Sequence, residues 1–436
     1  MKQTLEKMAA VLLGSSMMCS AMLLPATAAE DPADTVTMTA VITLSGTTAT
    51  AEGENVTING STIQITASGD YEISGKLDDG QIVVNVADLT ADTGTVKLHL
   101  NGVNITGTKD APLLIENAEN TTVDLVKDSE NFLYDGKTYS ATTAVIYAKD
   151  DITFKGEGKL RIEAAYQQGL HCNNDVKING GNIKVKTEVG DGIRGKKSVQ
   201  IKSGILDVNA GGDGVKSTKG DVLISGGSIE IKAGNDAVQG ETSVQISGGS
   251  LKANGDRGIK NVAGAVKITG GTILATATDE QTASVDSVQP VVMFQTTAEQ
   301  VKDQMIALTG ADDTAVFEMN PDKKFDFVLI SSPELTVGTN YSVQIGGKKA
   351  ASFVLSTPVM TLDAVEVPAD VAATDFDING DTNPNVLDAV ILARIVAEDT
   401  TLEVDSATLE RSDINHDGVT NIDDTTLMLK FLAHKL

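Results

Sequence analysis

Carboxylate and amide side chains recur at fixed positions in two short segments near the end of the chain, "DINGDTNPNVLD" (377–388) and "DINHDGVTNIDD" (413–424). In a twelve-residue calcium loop the ligands stand at positions 1, 3, 5, 7, 9 and 12, with a backbone carbonyl at 7 and often a water at 9. The expected ligands are Asp377, Asn379, Asp381, Asn383, Asn385 and Asp388, then Asp413, Asn415, Asp417, Val419, Asn421 and Asp424. The two copies therefore predict two calcium ions.

Each loop is followed by a segment whose apolar residues recur at helical spacing, over 386–398 and over 422–435. The loops are not those of an EF-hand, because Asp rather than Glu ends each one and no helix-forming stretch precedes the first. Thr382 replaces the usual glycine at position 6 of the first loop, and Pro384 follows at position 8. These two residues are expected to weaken the first calcium site.

The duplicated loop–helix unit over 375–436 resembles a type I dockerin, a calcium-dependent module that binds a cohesin domain on a scaffold protein of the cellulosome. In dockerins, loop positions 10 and 11 carry much of the partner choice. The residues that the resemblance implies for cohesin binding are Val386, Leu387, Arg394, Ile422, Asp423 and Lys430. The alternative is a self-contained calcium-stabilised domain that has no partner.

A second pattern recurs between residues 150 and 280. Apolar and polar residues alternate on both sides of a glycine pair, as in "VKINGGNIKVK" (176–186) and "VLISGGSIEIKA" (222–233). The second glycine of the pair stands at positions 181, 204, 227, 249 and 271. Alternation at period two predicts strands. Short strands in a unit of about 22 residues predict a parallel β-helix, with the glycines at positive φ in its turns.

An aspartate phrase interleaves with the glycine pairs at the same period: "GDGI" (190–193), "GDGV" (212–215), "NDAV" (235–238) and "DRGI" (256–259). The aspartates are Asp191, Asp213, Asp236 and Asp256. Equivalent residues of stacked parallel strands lie about 5 Å apart, where unscreened carboxylates repel one another. One interpretation is that these residues hold one or more calcium ions. The other is an Asx turn, in which Asp caps its own backbone ahead of a glycine.

Further segments, "ISGKLDDGQIVVN" (73–85), "VKLHLNGVNITG" (96–107) and "APLLIENAENTTVDL" (111–125), extend the pattern upstream. With the repeats they resemble a family of secreted bacterial carbohydrate-binding proteins that have a right-handed parallel β-helix, similar in architecture to pectate lyases. The resemblance spans most of residues 40 to 356. It implies binding of plant cell-wall polysaccharide, cellulose or polygalacturonate, with calcium on the helix. The expected fold class is thus an all-β right-handed parallel β-helix followed by a small all-α calcium-binding domain.

Catalysis is a second possibility, because pectate lyases use calcium and a basic residue to eliminate across a uronate. Arg194 and Arg257 lie beside the aspartate phrases and are the candidates for that base, although neither is a firm catalytic residue. Binding without cleavage is the favoured interpretation. Tryptophan is absent and the six tyrosines are scattered, which favours an acidic glycan over crystalline cellulose.

The chain begins with a charged, then apolar stretch and a small-residue Ala26-x-Ala28 site, which predict a signal peptide over 1–29 and secretion. A net charge of −26 argues against nucleic acid, and no later apolar run is long enough to span a membrane. Neither His171 nor Cys172 recurs with ligand spacing, so Cys172 is expected to be a free, packed thiol. The predicted domains are the β-helix (30–285), a cap with a helix over 299–308 (286–356), a linker (357–374) and the dockerin (375–436).

Overall fold

The computed structural model describes residues 37–135, 144–279, 287–367, 373–415 and 418–433. The predicted signal peptide and Asp417 of the second loop therefore lie outside the described residues. The elements that follow all belong to one compact unit, Met38–Leu436. Within the described ranges, no helix combines the length and the apolar character needed to cross a membrane.

The first part of the described chain consists of strands in which inward apolar side chains alternate with outward polar ones, as strand geometry requires. These strands are β1 (Ala40–Gly46), β2 (Thr48–Gly53), β3 (Val56–Asn59), β4 (Thr62–Ile65), β5 (Gly69–Leu77), β6 (Gln81–Asn85), β7 (Thr95–Gly107), β8 (Leu113–Asn117), β9 (Asn120–Leu125), β10 (Glu130–Asp135), β11 (Ala144–Ala148), β12 (Ile152–Gly156), β13 (Lys159–Ala164) and β14 (Gln168–Cys172).

The glycine-pair repeats supply the next ten strands. They are β15 (Asp175–Thr187), β16 (Ile193–Gly195), β17 (Ser198–Ala210), β18 (Val215–Ser217), β19 (Asp221–Ile224), β20 (Ser228–Ala233), β21 (Asp236–Gly240), β22 (Ser243–Asn254), β23 (Arg257–Asn261) and β24 (Lys267–Ala277). Successive repeats pair in parallel with their apolar residues in register, which places Ile183, Leu206, Ile229, Leu251 and Ile273 in one column. No member of this column is more than 3% exposed. The repeat therefore builds a continuous core.

The predicted positive φ of the recurring glycine is confirmed, and Gly204 illustrates why glycine is needed there. Its φ is +97°, and a Cβ at this position would lie 2.7 Å from the carbonyl oxygen of Gly181 in the preceding repeat. A side chain would therefore be strained by its own backbone conformation and would also collide with the neighbouring turn.

Two long strands close part of the structure into a ring. β7 and β15 each continue through a glycine turn for 13 residues, so each pairs with different strands before and after the turn. β7 pairs with β9 and β10, and β15 pairs with β12 and β13. β9 also pairs with β12, and β10 pairs with β13. All six pairings are parallel, and together they close a six-stranded barrel.

The predicted right-handed parallel β-helix is therefore wrong. The described residues form a mostly β structure with this closed six-stranded parallel barrel and further strands, in sheets of 17, ten and four strands. The sequence pattern divides each repeat at its glycine pair, whereas β15, β17, β22 and β24 each continue through that turn as one strand. Antiparallel pairs, β1 with β2 and β24 with β28, also interrupt the parallel order.

The region after the repeats has its own sheet and core. Its strands are β25 (Val291–Gln300), β26 (Ile306–Thr309), β27 (Ala315–Met319), β28 (Phe325–Ser331), β29 (Asn340–Ile345), β30 (Lys348–Val354) and β31 (Val359–Thr361). The order β27–β26–β29–β30 is antiparallel throughout. The helix predicted over 299–308 is wrong, because Ile306 and Leu308 are fully buried and their strand pairs with β27 and β29. Long-range strand pairing overrides the local helical pattern here.

The described helices all lie near the C-terminus. They are a 3-10 turn (Ala373–Phe376), α1 (Val386–Val396), α2 (Ser406–Arg411) and α3 (Ile422–Leu432). The helices predicted after each loop are thus confirmed, although both end earlier than predicted. Leu392 and Met428, equivalent residues of α1 and α3, are fully buried in a small core. Phe376 stacks on Phe431 with ring centroids 4.1 Å apart.

Candidate functional site

The aspartate row is a chain of hydrogen bonds between neighbouring repeats. Asp191 Oδ1 accepts from the backbone N–H of Asp213 at 3.0 Å, and Asp213 Oδ1 accepts from the N–H of Asp236 at 3.0 Å. Asp213 and Asp236 are 4% and 3% exposed. The carboxylates of Asp191 and Asp213 therefore cap the next repeat rather than their own turns. Burial raises the pKa of Asp191. The fourth member, Asp256, is exposed. Its backbone carbonyl oxygen accepts from the backbone N–H groups of Thr278 and Asp279.

Basic side chains occupy the other oxygens of the row. Lys216 Nζ lies 2.5 Å from Asp213 Oδ2, and Lys260 Nζ lies 3.0 Å from Asp236 Oδ2. Arg257 Nε lies 2.9 Å from Asp236 Oδ1, and Arg194 Nη1 is 3.7 Å from Asp191 Oδ2. These ion pairs compensate the carboxylates without a metal ion. The row does not fit a calcium ion, because the ion would have to displace these basic side chains from the carboxylate oxygens.

Three of these cations, Arg194, Lys216 and Lys260, lie in one line across the ten-stranded sheet, and sequence reasoning missed this line. Strand register places His171 beside Arg194, Arg194 beside Lys216, Lys216 beside Gln239, and Gln239 beside Lys260. The signal is present in the sequence, since Arg194, Lys216 and Gln239 each stand three positions after the Asp of their phrase. Lys260 stands three positions after Arg257. Burial, with Arg194 and Lys196 nearby, lowers the pKa of His171 to about 4, so this imidazole is neutral at pH 7.

Cys172 is a free thiol packed in the interior, as predicted. It is fully buried, and burial raises its pKa to about 12. A thiol that stays protonated in the interior is neither a nucleophile nor a metal ligand.

The first C-terminal loop curls around its first residue. Asp377 accepts from the backbone N–H of Asp381 at 2.9 Å and from that of Thr382 at 2.8 Å. Asn385 Nδ2 donates to the carbonyl oxygen of Asn383 at 2.6 Å. Thr382 has φ +68°, in the left-handed region. The glycine expected at position 6 is thus missing from a place where the backbone needs one.

The second loop repeats these contacts in its described part. Asp413 Oδ2 accepts from the N–H of Gly418 at 2.8 Å, as Asp377 does from Thr382, and Gly418 has φ +90°. Asn421 Nδ2 donates to the carbonyl oxygen of Val419 at 3.3 Å, as Asn385 does to Asn383. The residue at position 12 closes each loop in the same way. Asp388 accepts from Asn379 and Asn385, and Asp424 accepts from Asn415 and Asn421.

No three or more His, Cys, Asp or Glu side chains converge as a metal-ion cluster anywhere in the described ranges, the first loop included. In that loop the predicted ligand Asn379 accepts from the N–H of Asp381 at 2.8 Å, and Asp381 accepts from the N–H of Asn383 at 2.9 Å. The side-chain oxygens therefore cap backbone amides of the loop.

The residues implied for cohesin binding differ in their surroundings. Val386, Leu387 and Ile422 are large apolar side chains that are 67%, 54% and 65% exposed. Asp423 is also exposed at the start of α3. Arg394 and Lys430 have partners already: Arg394 Nε lies 2.8 Å from Asp399 Oδ2, and Lys430 pairs with Glu366. The three apolar residues and Asp423 therefore form the part of this set that is open to contact.

Comparison with known proteins identifies the β region. The family described as "Carbohydrate-binding domain-containing protein" matches residues 59–316. The chain belongs to this family. A protein of the same description from Acetivibrio thermocellus is 42% identical over 131 residues, which are 28% of this chain and 44% of that relative. The chain thus spans less than half the length of this relative.

A solved structure is also similar to the chain: "Structure of the polysaccharide lyase-like protein from C. thermocellum, Gadolinium derivative". It is 35% identical in sequence, covers 53% of this chain and 94% of that one, and superposes with a TM-score of 0.47.

The carbohydrate-binding family match includes the whole aspartate row and the line of cations beside it. It ends well before the two C-terminal loops, which begin at residues 377 and 413. The loops are therefore additional to the region that defines the family.

Proposed function

We propose that this chain is a secreted cellulosome subunit that holds plant cell-wall polysaccharide without cleaving it and docks to a scaffold cohesin through its C-terminus. Membership of a carbohydrate-binding family supports the first part. Acidic pectic glycan and cellulose are the two polymers proposed. The export of the chain rests on the signal-peptide pattern over 1–29.

Docking is carried by one observation, the repeated closure of the two loops by a buried aspartate. Asp388 and Asp424 are both fully buried, and each accepts two backbone N–H groups of its own loop. Each also completes a capping box at the start of the following helix with Asn385 or Asn421. Two copies of one loop–helix geometry support a duplicated docking module better than a simple end to the β region.

Calcium is proposed for these loops because their donor set fits it. Calcium takes six to eight oxygen ligands, which can be carboxylates, amides, carbonyls and waters. The first loop offers Asp377, Asn379, Asp381 and Asp388, with the Asn383 carbonyl and the Asn385 position; the second offers the equivalent residues from Asp413 to Asp424. A bound calcium ion would offset the repulsion between these carboxylates and hold each loop at the start of its helix.

The aspartate row is left out of this calcium proposal. Both oxygens of Asp213 and Asp236 are engaged by a backbone N–H or by a basic side chain. Binding of a cation there would first have to break a buried ion pair, which is costly when one partner is left unpaired.

Binding without cleavage is preferred to β-elimination because both arginine candidates are already paired with carboxylates. Arg257 donates from Nε to Asp236 at 2.9 Å and from Nη1 to Asp279 at 3.3 Å. Arg194 lies beside Asp191. A guanidinium in such pairs has no lone pair with which to accept a proton from a sugar.

The test is to incubate the full chain with polygalacturonate, first with calcium and then with EDTA. Retention on the polymer and the ultraviolet absorbance of unsaturated uronides are measured together. The proposal expects retention without unsaturated product. Unsaturated product that disappears in EDTA and in Arg194→Ala or Arg257→Ala would identify a lyase instead.

A further inference from the structure

Two aromatic side chains lie on the outward face of β10. Its residues alternate between exposed and buried, so Phe132 and Tyr134 point outward while Asn131, Leu133 and Asp135 point inward. Phe132 is 37% exposed and Tyr134 is 38% exposed. Two residues of a strand on the same face are about 7 Å apart. Exposed large apolar groups placed side by side in this way mark a contact surface.

Strand register surrounds both rings with groups that can form hydrogen bonds. Phe132 lies between Asn104 on β7 and Arg161 on β13, and Tyr134 lies between Thr106 and Glu163 on the same two strands. These six residues line one shallow depression of about 350 Å³. We call these six residues the β10 platform.

The cations around the platform are compensated by carboxylates. Arg161 Nε lies 2.6 Å from Glu163 Oε1, and on the next strand Lys184 Nζ lies 2.5 Å from Asp207 Oδ2. At the start of β10 and β13, Lys159 Nζ lies 2.7 Å from Glu130 Oε1. The surface therefore carries no excess of positive charge, on a chain whose net charge is −26. A polyanion would find little attraction here.

We propose that the β10 platform binds a neutral polysaccharide chain. The Phe132 and Tyr134 rings stack on the apolar C–H faces of sugar rings, a contact that needs no charge. Hydroxyl groups both donate and accept, so they can pair with the amide of Asn104, the hydroxyl of Thr106 and the carboxylate of Glu163. No calcium ion is required. This inference rests on the proposed function, because it assigns a site and a ligand class to a chain taken to bind polysaccharide.

A glycan suits this surface better than a protein partner would. The platform lies inside residues 59–316, which match a carbohydrate-binding family. It is an open face with two isolated rings among charged pairs, whereas stable protein interfaces have a well-packed apolar core depleted of charge. Sequence reasoning missed the platform, because the pattern of tyrosines alone does not show that Phe132 and Tyr134 share one exposed face.

The experiment measures binding of the full chain to two soluble polymers, a neutral mixed-linkage β-glucan and polygalacturonate, by affinity electrophoresis with calcium and with EDTA. Phe132→Ala/Tyr134→Ala is compared with Phe132→Tyr/Tyr134→Phe, which keeps both rings. Val189→Ala/Val262→Ala is the matched control, because these side chains are 67% and 46% exposed and lie elsewhere in the family-matched region. Thermal unfolding confirms that each variant is folded.

The alanine pair is expected to weaken binding of the β-glucan by about tenfold or more, as loss of aromatic anchors does at other interfaces. The ring-keeping pair and the valine control bind it as wild type does, and EDTA has no effect. Equal β-glucan binding by the folded alanine pair and by wild type would overturn the platform. Binding of the wild-type chain to polygalacturonate but not to the β-glucan would also overturn the platform. The proposed function would then still stand. Binding to neither of these polymers, nor to cellulose, would instead overturn the proposed function.

Discussion

Asp388 and Asp424 occupy equivalent positions in two loops and make the same pair of hydrogen bonds. Asp388 accepts from the N–H of Asn379 at 3.0 Å and of Asn385 at 2.8 Å; Asp424 accepts from Asn415 at 3.1 Å and Asn421 at 2.8 Å. Each carboxylate thus joins the start of its loop to the start of its helix. The geometry of the loop and the placement of the helix are set by one side chain.

Replacement of Asp388 should loosen both the first loop and the start of α1. Asp388→Ala leaves two backbone N–H groups without their acceptor and is expected to cost about 1–3 kcal/mol of stability in the absence of calcium. Calcium titration followed by calorimetry should also show one ion fewer. Asp423→Ala, at an exposed position beside Asp424 in the second copy, is the control and should stay within about 0.5 kcal/mol of wild type. An Asp388→Ala variant that binds two calcium ions would contradict this role.

Position 6 of the loops allows a reciprocal exchange. Thr382 has φ +68° and Gly418 has φ +90°. A non-glycine residue in this conformation is strained by about 1–2 kcal/mol. Thr382→Gly is therefore expected to raise the calcium affinity of the first loop several-fold, and Gly418→Thr to lower that of the second. Isothermal titration of the two variants measures both changes, and an unchanged affinity in both would show that the strain is not coupled to calcium.

The aspartate row predicts a specific pH dependence. Burial raises the pKa of Asp191 above its ordinary value of 3.8, so folding holds this proton more tightly than the unfolded chain does. The free energy of unfolding of wild type relative to Asp191→Asn should thus be greatest below that ordinary value and fall as the pH rises through the raised pKa. Denaturant unfolding of both proteins across this range checks the sign.

Asp191→Asn keeps an acceptor for the N–H of Asp213, and Asp191→Ala does not. The alanine variant is therefore expected to be less stable than the asparagine variant by about 1–3 kcal/mol. Equal free energies of unfolding of the two variants at neutral pH would show that the stabilising effect of Asp191 does not come from the hydrogen bond between repeats.

The exposed apolar residues after the first loop should dominate cohesin binding. Val386 and Leu387 present two apolar side chains, whereas Ile422 is followed by the charged Asp423. Val386→Asp/Leu387→Asp is expected to weaken cohesin affinity by at least about tenfold, and Ile422→Asp by less, since apolar anchors carry most interface energy. Surface plasmon resonance with calcium present compares them. A larger loss in Ile422→Asp would show that the second copy, rather than the first, carries the main cohesin contact.

The loops and helices were predictable because the relevant physics is local. The helical periodicity over 386–398 and over 422–435 lies within a short segment each time, so it predicts α1 and α3 without knowledge of the rest of the chain. The repeat likewise predicted the parallel stacking of Ile183 on Leu206. Both depend on patterns that a single sequence displays.

The fold class and the β10 platform were not predictable in the same way. The barrel closes because β7 and β15 pair on both sides of a turn, which depends on long-range hydrogen bonds. The strand β26 replaced an expected helix for the same reason. The exposure of Phe132 depends on which face of β10 meets the core, and a period-two pattern around Asn131 and Asp135 conceals this because both inward residues are polar.

The most direct measurement is a bridging assay. Beads coated with the polysaccharide that the full chain binds are mixed with the chain and a fluorescent type I cohesin, and the fluorescence retained on the beads is read with calcium and with EDTA. We predict retention only when chain and calcium are both present, and its loss in Asp388→Ala/Asp424→Ala, which should still bind the beads itself. Beads that hold the wild-type chain in calcium but retain no cohesin would contradict a docking subunit.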